Sequence, residues 1–95
     1  MARTVRGRLA RRDLRDIYVY IARDSIVAAD RVLHRIDETA RLLAQNPGLG
    51  EVYRASPKEI RRLSVGNYVM YYERIPSGVR ILRVLHGARQ HDDLL

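Results

Sequence analysis

The chain has 95 residues, a formal net charge of +7 and a pI near 10.5. This length allows one domain with a modest core, and the absence of Cys excludes a disulfide framework or a Cys-based zinc site. So much positive charge on a small domain either attracts an anionic partner, such as nucleic acid or an acidic protein, or serves solubility alone.

The first forty-six residues predict a short strand followed by two helices. Arg3–Arg6 is a candidate N-terminal strand, and Gly7 is an acceptable helix N-cap. A helix is expected from about Leu9 to Arg23, with an apolar stripe of Leu14, Ile17, Tyr18 and Ile21. Asp24-Ser25 ends it and caps a second helix from about Ile26 to Gln45, with the stripe Ala29, Leu33, Ile36, Ala40 and Leu43. Because the connection is so short, the two helices should form an antiparallel hairpin.

The remaining residues predict a loop, a three-stranded meander and a tail. Asn46-Pro47-Gly48 ends the second helix, and Glu51–Glu59 is expected to be irregular because Pro57 argues against a central strand. The predicted strands are Ile60–Val65, Tyr68–Ile75 and Val79–His86, separated by Gly-containing turns. The third strand has apolar residues on both alternating faces, which favours a position inside the sheet. Arg89–Leu95 is expected to be a tail.

These elements assemble into an α+β fold of order β-α-α-β-β-β, a single domain spanning residues 1–95. The helical hairpin packs on one face of a small, mainly antiparallel sheet, and the other face stays partly open. No apolar run approaches the roughly 20 residues of a transmembrane helix, and the basic N-terminus lacks the apolar block of a secretion signal. We therefore expect a soluble cytoplasmic protein with no membrane partner.

Few residues indicate catalysis. No Ser lies in a nucleophile-elbow setting, and His34, His86 and His91 lack metal-ligand spacing, so neither a metal nor a cofactor is expected. His86 is better explained as a turn-stabilising side chain, and His91 should be solvated in the tail. Arg61 and Arg62 are adjacent on a strand, so they must point to opposite faces of the sheet.

Several motifs together resemble the RelE/ParE superfamily of type II toxins, and more narrowly its ParE branch. They are Asp13-Leu14-Arg15-Asp16-Ile17, Tyr20-Ile21-Ala22, Asn46-Pro47-Gly48-Leu49-Gly50, Ile60-Arg61, Tyr68-Val69-Met70-Tyr71-Tyr72 and Ile81-Leu82-Arg83-Val84-Leu85-His86-Gly87-Ala88-Arg89. The resemblance covers about Ala10 to Gln90, and its last motif is the most specific. It implies the same fold, and a bacterial toxin neutralised by a ParD-like antitoxin with a flexible acidic segment, in a hetero-oligomer.

The branches of this superfamily differ in target. The resemblance implies either inhibition of DNA gyrase, as in ParE-like members, or ribosome-dependent mRNA cleavage, as in RelE-like members. Val69 stands where the nucleases usually carry Arg, and Leu95 stands where RelE has Tyr. We therefore favour gyrase inhibition with no catalytic residues; a nuclease would use Arg62, Arg89 and His91.

The resemblance also implies contact residues. Target binding is assigned to Arg83, His86 and Arg89, and antitoxin binding to Arg61, Arg80 and Tyr71. A plain nucleic-acid-binding module is a third hypothesis, but no recognition helix or finger supports it, because the long helices use their apolar faces in the core.

Overall fold

A computed structural model describes residues 2–89, 91 and 95 of the chain. The elements are β1 (Arg3–Arg6), α1 (Arg8–Ala22), α2 (Ile26–Gln45), β2 (Glu51–Arg54), β3 (Ile60–Val65), β4 (Tyr68–Ile75) and β5 (Gly78–His86). Within the described residues the sheet has five strands in the order β1-β5-β4-β3-β2, with β1 parallel to β5 and the other pairs antiparallel. The predicted α+β fold is confirmed, and β5 does lie inside the sheet.

The two helices begin and end close to their predicted limits. Gly7 is the N-cap of α1, and the Ser25 hydroxyl accepts a hydrogen bond from the Ala28 amide at 3.1 Å to cap α2. None of the helices in the described part of the chain is long and apolar enough to cross a membrane.

The hydrophobic core lies between the hairpin and one face of the sheet. Apolar residues of both helices meet side chains of the three central strands, and the buried set includes Ala10, Leu14, Ile36, Ala40, Leu43, Met70, Tyr72, Val79, Ile81 and Val84. The Tyr72 hydroxyl donates to the Pro47 carbonyl oxygen at 2.7 Å and accepts from the Gly50 amide at 2.8 Å. A Cβ at Gly50 would lie 2.7 Å from that hydroxyl, so this close approach requires glycine. The loop after α2 is therefore fixed to the sheet.

One strand was missed by sequence reasoning. Glu51–Arg54, predicted as part of an irregular segment, forms the edge strand β2 and pairs with β3 with a register shift between Val52 and Arg54. Pro57 lies beyond this strand, after a cis Ser56–Pro57 peptide bond. The prediction of an irregular segment was wrong at Glu51–Arg54 because an edge strand of four residues has too short a pattern to be recognised. A proline three residues past the end of a strand removes none of that strand's hydrogen bonds, so Pro57 did not exclude it.

A β-bulge changes which residues of β5 face the core. Tyr71 pairs with Arg83 but Tyr72 pairs with Ile81, which leaves Leu82 as the extra residue. Val79, Ile81 and Val84 therefore share the core, although strict alternation would place Val84 on the face opposite the other two. The bulge lies where the pairing of β5 with β1 ends, at Ile81.

Candidate functional site

The unpaired edge of β5 beyond Ile81 is completed by a side chain of α1. Asp13 accepts hydrogen bonds from Arg83 Nε and Nη2, both at 2.8 Å, and from the Val84 amide at 3.0 Å. The Asp13 side chain is 10% exposed and that of Arg83 is 13% exposed. The hydrogen bond to Asp13 raises the pKa of Arg83. Arg83, predicted to bind the target, thus has its guanidinium engaged inside the protein.

Next to this ion pair is a cavity of about 420 Å³ that we call the α1–β5 cleft. Its lining residues are Asp13, Asp16, Ile17, Tyr20, Tyr68, Val84, Leu85, His86 and Arg89. Two of the three predicted target-binding residues, His86 and Arg89, line the cleft. Arg83 does not line it but is bonded to Asp13, which forms part of the cleft wall.

Aromatic side chains shape the α1–β5 cleft. The rings of Tyr68 and His86 meet edge to face with centroids 5.4 Å apart. Burial, and to a lesser degree electrostatic repulsion from the neighbouring Tyr20, raises the pKa of Tyr68. His86 Nδ1 accepts a hydrogen bond from the Ala88 amide at 3.2 Å, which matches the turn-stabilising role predicted for it.

The face of the sheet opposite the helices, here the open face, carries a second cavity. This open-face groove has a volume of about 570 Å³ and is lined by Leu49, Glu51, Arg62, Leu63, Ser64, Val69, Tyr71, Gly87 and His91. The face is less open than predicted, because Tyr71 and Leu85 are 0% and 1% exposed.

His91 is held in the open-face groove rather than solvated, so that prediction was wrong. Its Nε2 lies 2.8 Å from the His86 carbonyl oxygen, and its Nδ1 is hydrogen-bonded to the Tyr71 hydroxyl. A carbonyl can only accept, so Nε2 carries a proton, and in the neutral imidazole Nδ1 then accepts from the Tyr71 hydroxyl. The sequence did not indicate this contact, because Tyr71 and His91 are 20 residues apart in the chain.

Arg61 and Arg62 point to opposite sides of the sheet, as predicted. Arg62 pairs across the strands with Tyr71 on the open face, whereas Arg61 pairs with Tyr72 on the helix side. Arg62 Nε donates to Glu51 at 2.7 Å, and the bonds to Glu51 and Tyr71 raise the pKa of Arg62. Arg61 Nη1 donates to the Gly48 and Gly50 carbonyl oxygens at 3.2 and 2.7 Å, so it fixes the loop after α2.

Glu73 is a carboxylate on the open face that is only 7% exposed. Lys58 Nζ lies 2.6 Å from one of its oxygens and Arg80 Nη1 lies 3.0 Å from the other. Burial raises the pKa of Glu73, but the bonds from Lys58 and Arg80 outweigh it and lower the pKa overall.

The three predicted antitoxin-binding residues do not share one surface. Arg61 lies on the helix side, whereas Tyr71 and Arg80 lie on the open face, and Tyr71 is fully buried. Their role in antitoxin binding stays a prediction, as does the role of Arg83, His86 and Arg89 in target binding.

Sequence reasoning gave no functional weight to Asp13, Tyr68 or Glu73. For Asp13 a signal was available, because it is three residues after Ala10 and four before Ile17 and so borders the apolar stripe of α1. In the described residues no cluster of three or more His, Cys, Asp or Glu side chains could hold a metal ion.

Known proteins share this architecture. A hairpin packed on one face of a mixed sheet is the fold of a solved chain described as the chromosomal ParDE TA system from P. aeruginosa. The TM-score is 0.71 at 23% identity, over 90% of this chain and 96% of the solved one. Toxin ParE1 of Caulobacter vibrioides is 33% identical over 89 residues, which cover 90% of this chain and 92% of that protein.

The family model described as ParE toxin of type II toxin-antitoxin system, parDE, matches residues 7–91. The chain therefore belongs to the ParE toxin family of type II toxin-antitoxin systems. The resemblance found in the sequence motifs is confirmed.

Proposed function

We propose that this protein inhibits DNA gyrase and that a ParD-like antitoxin neutralises it in the cytoplasm by forming a hetero-oligomer with it. Membership of the ParE family supports a toxin of this kind. We favour gyrase over mRNA as the target because the residues that a nuclease would use lie in two separate cavities.

Those three residues do not converge on one cavity. Arg62 and His91 line the open-face groove, whereas Arg89 lines the α1–β5 cleft. Within the groove, Arg62 is bonded to Glu51, both ring nitrogens of His91 are engaged, and Val69 is apolar. RNA cleavage needs positive charge at the phosphorane and a group that accepts the 2′-hydroxyl proton. Such a set is not assembled among the described residues.

The α1–β5 cleft is the better candidate for contact with a protein target. It combines apolar walls with Tyr20, Tyr68 and Arg89, and Tyr and Arg are the residue types that dominate binding energy in protein interfaces. Tyr20 is 70% exposed, so its ring is accessible to a partner.

An acidic amphipathic antitoxin segment suits the net charge of +7. Arg80 remains accessible on the open face, with a side chain 41% exposed. Contact with Tyr71 would require the side chains above it to move, because its ring packs against Tyr53 with centroids 5.0 Å apart.

A supercoiling assay with purified gyrase and relaxed plasmid tests the proposal. We expect the protein in molar excess to block supercoiling and to accumulate cleaved DNA, and addition of the cognate antitoxin to restore supercoiling. Normal supercoiling at excess toxin would remove gyrase as the target. Induction in cells without antitoxin provides a parallel measurement, because DNA damage gives filamentation with an SOS response, whereas a ribosomal target gives rapid arrest of translation.

One contact favours the second candidate, mRNA cleavage on the ribosome. His91 Nδ1 accepts a hydrogen bond from the Tyr71 hydroxyl in a cavity that also holds Arg62, so a residue type suited to act as a general base lies in the same cavity as a cation. Under this alternative, ribosomes programmed with mRNA are cut at codon positions, and His91→Ala or Arg62→Ala abolishes the cuts. Intact mRNA with the unmodified protein would exclude it.

A further inference from the structure

The outward side of α1 carries a concentration of positive charge that the proposed function does not use. Arg8, Arg11, Arg12 and Arg15 are all exposed and fall within about 100° of the helix circumference. We call these four residues the arginine face. It points away from Ala10 and Leu14, which are buried in the core.

The described acidic residues around this face make no ion pair with it, and two of them are bonded elsewhere. Asp13, on the same helix, is bonded to Arg83, and Asp37 of α2 is bonded to Arg6 and Arg41. Asp16 lies one helical turn after Arg12, lines the α1–β5 cleft and makes no ion pair with the described residues. No ion pair joins the arginine face to an acidic side chain in the described ranges, so its guanidinium groups are not paired with a carboxylate.

The helix itself adds to the positive field at this place. The first turn of α1 carries no acidic side chain, and Gly7 provides no side-chain cap. The positive end of the helix dipole therefore reinforces Arg8 and Arg11 rather than being compensated.

We infer that the arginine face is a binding surface for the phosphate backbone of duplex DNA. Arg guanidinium groups are suited to phosphate oxygens because they donate in a planar fork. Arg8 to Arg15 spans about 10.5 Å along the helix axis, and over that length of its own axis one strand of duplex DNA carries about three negative charges. Contacts of this kind position a protein on DNA without reading its sequence.

The composition of the surface favours nucleic acid over an acidic protein segment. A typical protein–protein interface has an apolar centre that loses its water and a rim of polar groups. The row of Arg8, Arg12 and Arg15 lacks such a centre, because no apolar residue interrupts it. The apolar side chains near the face lie at its margins: Val19, 51% exposed, lies towards the end of the helix, and Leu9, 43% exposed, lies at one side. On the other side, Arg11 and Arg15 border a groove that Leu14, Tyr18 and Leu33 also line. Protein–DNA interfaces are more polar and much more positively charged than protein–protein interfaces. Binding of this kind needs no recognition helix, because α1 would touch phosphates and no bases.

The experiment measures binding of the whole protein to a fluorescein-labelled 20-base-pair duplex by anisotropy between 50 and 200 mM salt. The variant R8Q/R12Q/R15Q removes three contacts, and R31Q/R35Q/R74Q removes the same charge from exposed arginines elsewhere. We expect the slope of log affinity against log salt to fall in magnitude by about 2.7 in the first variant and by less than about 1 in the control. At 100 mM salt the first variant should bind at least about tenfold more weakly than the control.

A third variant, R8K/R12K/R15K, keeps the charge and should keep most of the salt slope; circular dichroism checks that all variants are folded. Equal losses in the two Gln variants, or no binding by the unmodified protein, would overturn the inference. Equally effective competition by poly-glutamate and by unlabelled duplex at the same concentration of charge would also overturn it, because the surface would then bind acidic protein as well as DNA. Gyrase does not enter this assay, so its outcome is independent of the proposed function.

Discussion

The α1–β5 cleft and the open-face groove use their charged side chains in different ways. In the groove, Arg62 is bonded to Glu51 and His91 to Tyr71 and a carbonyl oxygen. In the cleft, the side chains of Tyr20 and Arg89 have no ion pair or hydrogen bond to the other described residues, and they are exposed. The number of titratable groups in a cavity therefore does not decide whether it is available for a partner. What decides it is whether those side chains are already bonded within the protein.

The largest effect should come from the ion pair behind the α1–β5 cleft. Asp13→Ala leaves Arg83 charged and nearly buried and leaves the Val84 amide without its acceptor, which should cost about 3 kcal/mol of unfolding free energy. Urea denaturation measures it. Asp16→Ala is the matched control in the same cleft and should stay within about 0.5 kcal/mol. Equal stabilities of the two variants would show that the Asp13–Arg83 pair does not hold α1 against β5.

The free energy of unfolding of the protein should depend on pH through Glu73 on the open face. The pKa of Glu73 is lowered from 4.5 in the folded state. Its contribution to the free energy of unfolding is therefore fully present above pH 4.5, and it is lost as the pH falls through the pKa of the folded state. Glu73→Gln should cost about 2 kcal/mol at pH 7, and the gap to the unmodified protein should shrink as the pH is lowered towards 3. Urea denaturation across this range measures the gap. Exposed Glu59→Gln is the control and should show little effect at any pH, whereas a constant gap for Glu73→Gln would contradict the assignment.

Arg89→Ala should weaken gyrase inhibition without unfolding the protein. Loss of one exposed arginine at an interface should raise the concentration for half-inhibition about tenfold, equivalent to about 1.4 kcal/mol. The supercoiling assay measures it, with exposed Arg74→Ala as the charge-matched control, expected within about twofold of the unmodified protein. Equal inhibition by both variants would move the target-binding site away from the α1–β5 cleft.

Tyr71→Phe should have the smallest effect if the open-face groove is structural. Removal of one hydroxyl bonded to His91 should cost about 1 kcal/mol of stability, and gyrase inhibition should not change. Thermal unfolding and the supercoiling assay measure the two quantities. Exposed Tyr20→Phe is the stability control. If Tyr71→Phe instead abolishes mRNA cleavage on ribosomes, the groove is a catalytic site and the alternative function gains support.

The structure separates residues that the sequence placed in one group. Arg83, His86 and Arg89 lie within a few positions of one another in the chain, yet Arg83 turns to Asp13 while His86 and Arg89 line the cleft. Arg83 and His86 are three positions apart on β5, so ordinary strand alternation already places them on opposite faces. The bulge at Leu82 decides which of the two faces the helices. Strands carry no local signal for such a bulge when both alternating sets are apolar, as they are here.

The helical hairpin, the three long strands and the overall positive charge could all be predicted from the amino-acid sequence. These features are local, because 3.6-residue and two-residue periodicities and turn residues act over a few positions. The edge strand β2, the placement of His91 and the Asp13–Arg83 pair, whose members are 70 residues apart, became visible only in the folded chain. Such contacts depend on which surfaces the packed core brings together, and no window of sequence contains that information.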